Sequence, residues 1–287
     1  MHSKTMTNVC APLTLFALSL LGGTTSAAQH TSHQTAWTEA PLLTTARGFS
    51  RSVKLLRPRG LSIDSATVMP SVEPDEPVPQ LDVPLQDGKL AVRTATAKQG
   101  GYYRVGAIER HEQGIRYAST VVYFSNPGPA PRALLAASIA PVEIVPQMLP
   151  REHRHYREGE HWPFVLRLNG QPVANHPVDF ETAQGTRLAL RTDAEGVIEV
   201  PFPHDIPPPA PDKDEHATHR SDPSSAFVLS ANIDTADGKR LQAAFNLDYE
   251  AGAYAQANLW LGGGFAALGM LSAVPLLRRR KADRRPS

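Results

Sequence analysis

HWPFVLRLNGQPVANHPVDFETAQGTRLALRTDAEGVIEVPF, residues 161–202, reads as short strands separated by turns. Phe164, Leu166 and Leu168 alternate with Val165 and Arg167, a period of two that gives a pleated chain one apolar face. Asn169-Gly170 follows at once. Both residues tolerate positive φ, so the pair is a strong hairpin signal. Val178 and Phe180 flank Asp179, and Leu188 and Leu190 alternate with Arg187, Ala189 and Arg191. Asp193-Ala194-Glu195-Gly196 is a turn, and residues 197–200 leave it as another strand.

Outward from this stretch the same pattern recurs. Residues 138–145 read as a strand before it, and 226–233 and 241–249 as strands after it. In the last, Leu241, Ala243, Phe245, Leu247 and Tyr249 alternate with Gln242, Ala244, Asn246 and Asp248, which predicts a half-buried strand. Between them, 203–225 is proline-rich and charged without periodicity, the composition of a mobile loop. Residues 134–137 are a strand end or a helical turn. Farther upstream, 52–56 reads as a strand. Residues 90–96, 102–109 and 115–124 read as three strands joined by tight turns, an antiparallel meander. Residues 70–84 hold five prolines with Glu73, Asp75, Glu76 and Asp82 and read as a loop. Residues 126–132, with three prolines, read as a stiff inter-domain linker. The expected fold class is all-β. Two antiparallel β-sandwich-like domains span residues 29–132 and 133–250, the second Ig-like, and one C-terminal transmembrane helix follows.

Both ends carry address signals. Lys4, the apolar residues 9–21 and Thr25-Ser26-Ala27-Ala28 make residues 1–28 a secretory signal peptide, cut after Ala27 or Ala28. The single cysteine, Cys10, lies inside it, which predicts a mature chain with no disulfide and no thiolate metal site. Residues 251–277 carry no charge, and 253–277 are long enough to cross about 30 Å of hydrocarbon. The basic tail 278–287 then predicts a cytoplasmic C-terminus on a single-pass inner-membrane protein whose bulk is periplasmic. A removable C-terminal sorting signal is the alternative. The net charge of +1 conceals six cations in that tail, so the exported part is mildly acidic and nucleic acid is not an expected partner.

Gly170-Gln171-Pro172-Val173, Val178-Asp179-Phe180 and Thr192-Asp193-Ala194-Glu195-Gly196 follow the pattern G-x-P-V/L-x-x-A-x-V-x-F … T-D-x-x-G. This resembles carboxypeptidase-regulatory-like and bacterial Ig-like modules. With Val142-Glu143-Ile144-Val145-Pro146 upstream, the chain is similar to a bacterial periplasmic family of unknown function. Some members of that family are accessory proteins of nickel or cobalt uptake. The resemblance implies a non-enzymatic accessory or binding protein, with an inner-membrane transporter or another envelope protein as partner. A structural or protein-interaction module with no metal role is the alternative.

Hydrolase motifs are missing: there is no G-x-S-x-G and no H-E-x-x-H, and no glycine-rich phosphate loop is present either. Histidine is the enriched functional type. Cleavage after Ala27 would begin the mature chain Ala28-Gln29-His30, and an amine with histidine third chelates Cu(II) or Ni(II) in a square plane, with His33 nearby. A second group is Glu152, His153, His155, Glu158, Glu160 and His161, where imidazoles among carboxylates suit Ni(II), Cu(II), Co(II) or Zn(II). The candidate metal ligands are therefore His30, His33, His153, His155 and His161. His216 and His219, with Asp212, Asp214 and Glu215, could capture ions only weakly. His176 sits in a turn and reads as structural.

Overall fold

Seven strands open the fold: β1 (Leu42–Thr45), β2 (Val53–Arg59), β3 (Ser65–Pro70), β4 (Leu81–Gln86), β5 (Lys89–Arg93), β6 (Gly101–His111) and β7 (Gly114–Phe124). A helical turn, α1 (Arg132–Ala136), leads to β8 (Val142–Pro146), β9 (Tyr156–Arg157), β10 (His161–Leu168), β11 (Gln171–Pro172) and β12 (Pro177–Thr182). The chain continues with β13 (Arg187–Arg191), β14 (Val197–Pro201), β15 (Ser224–Asp234) and β16 (Arg240–Glu250). The structure is a computed structural model and describes residues 37–48, 50–73, 75–94, 100–125, 128–150, 155–208 and 223–252. Among them no helix is long and apolar enough to cross a membrane. The segments 1–28 and 253–287, with their expected signal, membrane helix and tail, lie outside the described residues.

Strand order reveals a repeat. In the first half β1-β2-β5 form one sheet and β4-β3-β6-β7 the other. In the second half, leaving aside the two-residue strands β9 and β11, β8-β10-β14 face β13-β12-β15-β16. Both halves therefore place the first, second and fifth strands against the fourth, third, sixth and seventh, the arrangement of Ig-like sandwiches. Crossings between sheets make this order, and they correct the expected meander. β5 pairs with β2 and β4, whereas β6 pairs with β3 and β7. The loop expected over 70–84 is also shorter than read. Leu81–Pro84 pair with β3, and Leu85 and Gln86 then pair with β5. Pro84 stands where β4 changes partners, a place where a missing N–H is tolerated.

In residues 161–202 the turn chemistry acts as read. Asn169 and Gly170 take φ of 51° and 78°, and Leu168 pairs with Gln171 across them. Phe164 and Leu166 point into the second core, where Phe180, Phe202, Phe227, Phe245 and Tyr249 also meet. Phe202 stands edge-on to Phe227 with ring centroids 4.9 Å apart, and Tyr156 stacks on Phe202 at 5.2 Å. Such pairs add to the stabilisation from area burial alone.

The two sandwiches share a sheet. β7 pairs in parallel with β16 from Gly114↔Arg240 to Phe245↔Ser119. β7 is consequently buried on both faces: Ala118, Val122 and Phe124 enter the first core, and Tyr117 and Val121 the second. That explains why 115–124 is the most continuously apolar run of the first half. The half-buried reading of 241–249 needs the matching correction. Ala244 and Asn246 are buried, because residues 37–43 cross their face. Leu43 N–H donates to Asn246 Oδ1 at 2.9 Å, and Asn246 Nδ2 donates to the Leu43 carbonyl at 3.0 Å. The carboxamide thus stands in for a neighbouring strand. Asn246→Leu would leave both backbone groups buried and unpaired. It is expected to lower unfolding free energy by about 2–4 kcal/mol in urea titration, and a loss below about 0.5 kcal/mol would contradict this role.

A second seam lies on the opposite face of the shared sheet. Arg104 of β6 reaches Glu143 of β8 at 2.6 Å, with both side chains 0% exposed. Arg104 Nη1 donates to the Ala137 carbonyl. Glu143 Oε1 also accepts the N–H groups of Ile139 and Ala140, and Oε2 accepts the Ser138 hydroxyl at 2.7 Å. Beside the pair, burial pushes the Tyr117 hydroxyl up to about 12, so it stays neutral.

Candidate functional site

The described part of the second histidine group sits at one end of the second sandwich. There β9, the end of β16 and residues 203–206 converge. Tyr156 of β9 pairs in parallel with Tyr249, which brings the segment after residue 155 alongside Glu250. His155 Nδ1 lies 2.5 Å from Glu250 Oε1, and Arg157 Nη2 lies 3.7 Å from Glu250 Oε2. His155 is half exposed, whereas Glu250 is largely covered. Asp248 lies on the same strand face as Glu250 and within electrostatic reach of His155.

Glu158, one turn further, is a buried clasp. Its Oε1 accepts the Ile206 N–H at 2.7 Å, and its Oε2 accepts the Gly252 N–H at 3.2 Å. His204 Nδ1 approaches Oε2 to 3.7 Å from the solvent side. Asp205 is held by three hydroxyls. Thr182 donates at 2.7 Å and Thr186 at 2.6 Å to Oδ2, and Tyr249 donates to Oδ1. Burial, and then the Asp205 carboxylate, push the Tyr249 hydroxyl far above its ordinary range, which keeps it protonated and donating. These carboxylates tie the start of the 203–225 insertion and the exit of β16 to one place.

The other candidates scatter. His161 is exposed at the start of β10 and pairs through its backbone with Pro201. Glu160 accepts the Trp162 indole N–H at 2.8 Å rather than facing His155. His176 Nε2 meets the Asn232 carbonyl at 2.9 Å, a structural contact in the turn before β12. His30, His33, His153, His216 and His219 lie outside the described residues.

The donor chemistry of His155 and Glu250, one imidazole and one carboxylate, suits Ni(II) or Co(II) in kind. It is incomplete in number. Among the described residues no group of three or more His, Cys, Asp or Glu is placed to hold a metal ion. Sequence reasoning missed Glu250, His204 and Asp205, because strand pairing alone brings them beside residues 155–158. Glu250 gave no local signal, since it continues the polar alternation of Gln242, Asn246 and Asp248.

No protein-family model matches the chain, and no curated protein matches it. Among solved structures it is similar to a tetra-tandem repeat in the extending region of a large adhesion protein, at 8% identity over 74% of this chain and 49% of that one, TM-score 0.23. It is also similar to a 1.5-MDa bacterial ice-binding adhesin, at 11% identity over 74% of this chain and 65% of that one, TM-score 0.24. A two-domain fibronectin type-III segment from chicken tenascin aligns at 10% identity over 71% of this chain and 96% of its own, TM-score 0.20. The chain thus spans about half and 65% of the two adhesin chains. These likenesses are too slight to bear on function, and the architecture rests on the strand pairing itself.

Proposed function

We propose that this protein is a membrane-tethered, non-enzymatic module of the cell envelope that presents a rigid double sandwich to a partner protein. One observation carries the reading. Four convergent polar clusters are engaged in holding the fold: Arg104 with Glu143, Asn246 with Leu43, Glu158 with Ile206 and Gly252, and Asp205 with three hydroxyls. A rigid platform is what a binding module gains from such contacts, since a preorganised surface loses little entropy on association. The apolar run 253–277 and its basic flank supply the tether, and an inner-membrane transporter or another envelope protein is the partner class.

Fractionation tests this directly. The full chain is expected in the inner-membrane fraction, with the sandwiches digested by protease only after the outer membrane is permeabilised. A chain released in soluble form from the periplasm contradicts the tether.

His155 beside Glu250 favours a second reading, in which the module handles Ni(II) or Co(II) for uptake. Calorimetric titration of the mature chain with either ion is then expected to show one site lost in His155→Ala and Glu250→Ala. Loss on His30→Ala instead moves the site to the N-terminal chelate, and no binding of Ni(II), Co(II) or Cu(II) leaves the platform alone.

A further inference from the structure

The first sandwich carries a one-sided charge pattern that the platform reading does not use. From Arg47 to Arg59 the chain holds Arg47, Arg51, Lys54, Arg57 and Arg59 and no carboxylate. Strand alternation sorts them. Leu43, Leu56, Leu90 and Val92 point into the first core, so Thr44, Arg57, Lys89 and Arg93 stand on the outer face of the β1-β2-β5 sheet. Thr44 pairs with Arg57, and Lys89 lies one step beyond the Leu56↔Leu90 pair, next to Arg57. Arg59 follows Arg57 on the same face, about 7 Å along the strand. Among the described residues none of Arg47, Arg57, Arg59, Lys89 and Arg93 makes an ion pair. Asp87 stands in the turn before Lys89. Thr44, Thr45, Arg47, Arg57, Arg59 and Lys89 line a shallow concavity of about 280 Å³.

We propose that this face binds a linear envelope polyanion through phosphate- or sulfate-class oxyanions, one of which seats in the concavity among Arg47, Arg57, Arg59 and Lys89. Guanidinium forks match the oxygens of such groups bidentately, and the Thr45 hydroxyl adds a neutral donor. On this face Arg57, Arg59 and Lys89 cluster at one end of β2 and β5, with Arg93 beyond Leu55 and Ala91, a broken stripe that suits an extended chain. A bilayer fits less well. A membrane-seating face needs apolar side chains to bury, and the exposed large hydrophobics among the described residues, Leu81 and Met148, lie elsewhere. An acidic peptide adding to the edge of β1 is blocked, because Asn246 already occupies the outward N–H and C=O of Leu43. The proposal rests on the envelope reading only for where the polymer is met.

The test uses the full chain in neutral detergent and fluorescein-labelled long-chain polyphosphate, with heparin as the sulfated counterpart. Wild type is expected to bind both, with the logarithm of affinity falling against log salt at a slope of about −2 to −3 for about four neutralised charges. Arg57→Glu with Lys89→Glu should weaken binding at least about 10-fold, and the milder Arg57→Gln with Lys89→Gln should fall between. Reversing two exposed arginines of β13, Arg187→Glu with Arg191→Glu, should leave binding within about 2-fold, because those cations lie off the stripe. The basic tail 278–287 is common to all variants, so their differences read this face. Unchanged binding in Arg57→Glu/Lys89→Glu, an equal loss in the β13 variant, or vesicle association of the full chain that falls in Arg57→Glu/Lys89→Glu while polyphosphate binding does not, overturns the proposal. None of those outcomes alters where the chain fractionates, so the envelope reading stands or falls separately.

Discussion

Gly114→Ala is expected to cost on the order of 3–5 kcal/mol and to separate the two sandwiches before either loses its own core. Gly114 opens β7 at a φ of 147°, a conformation that L side chains rarely adopt. A Cβ there would lie 1.8 Å from the Arg240 carbonyl oxygen and 2.7 Å from its carbon. Both contacts are with backbone, so no side chain can rotate away. Arg240 N–H meanwhile donates to the Gln113 carbonyl at 2.8 Å, which pins the two strands at this point. The only relief is for β16 to move off β7. Differential scanning calorimetry is expected to show one transition for wild type and a broadened or split one for the variant. A melting temperature unchanged by Gly114→Ala would mean that the β7–β16 pairing does not form.

Glu143→Gln is the second large effect, at about 3–5 kcal/mol. Glutamine keeps a carbonyl oxygen for the Ile139 and Ala140 N–H groups, so the loop before β8 keeps its acceptor. What disappears is the counter-charge of an arginine that is 0% exposed. An uncompensated buried cation is the expensive product. Arg104→Met is expected to cost less than Glu143→Gln, because Glu143 retains two N–H donors and the Ser138 hydroxyl. Combining Arg104→Met with Glu143→Gln should recover part of the loss, with a coupling energy of about 2 kcal/mol from urea unfolding of the four chains. Strict additivity would mean that the two side chains do not meet.

These residues mark where the sequence stops being legible. Local chemistry was readable wherever turn and strand lie within a few positions of each other. Asn169-Gly170, the alternation through Phe164 and Leu166, and the turn before Val197 all act as their residue types dictate. Partnership between distant strands was not readable. Nothing near β5 says that it crosses to β2 rather than turning to β6, because both neighbours offer the same alternation. The repeat was hidden for a related reason. An Ig-like sandwich constrains which positions are apolar, not which residues fill them, and β4 with its Pro84 does not look like a strand at all.

Two signals of the fusion were present but ambiguous. The unbroken apolar run 115–124 meant burial on both faces, and Asn246 sat on a strand face that proved to be covered. The candidate site divides in the same way. Histidines 155 and 161 were visible as a cluster in sequence, yet only His155 meets a carboxylate, and Glu250 comes from the last strand of the sandwich. A histidine-rich segment names donors, whereas the fold decides which of them converge.

Hydrogen exchange on the full chain tests the fusion of the two sandwiches most directly. In β7 successive amides point alternately toward β6 and toward β16, so the two junctions report separately. The β7 amides between Ile115 and Ser119 that face β16, and the β16 amides between Leu241 and Phe245 that face β7, are expected to exchange as slowly as the β6-facing amides of β7. Fast exchange confined to the β7–β16 side, with the β6–β7 and β15–β16 amides protected, would contradict the account and describe two sandwiches joined only by their linker.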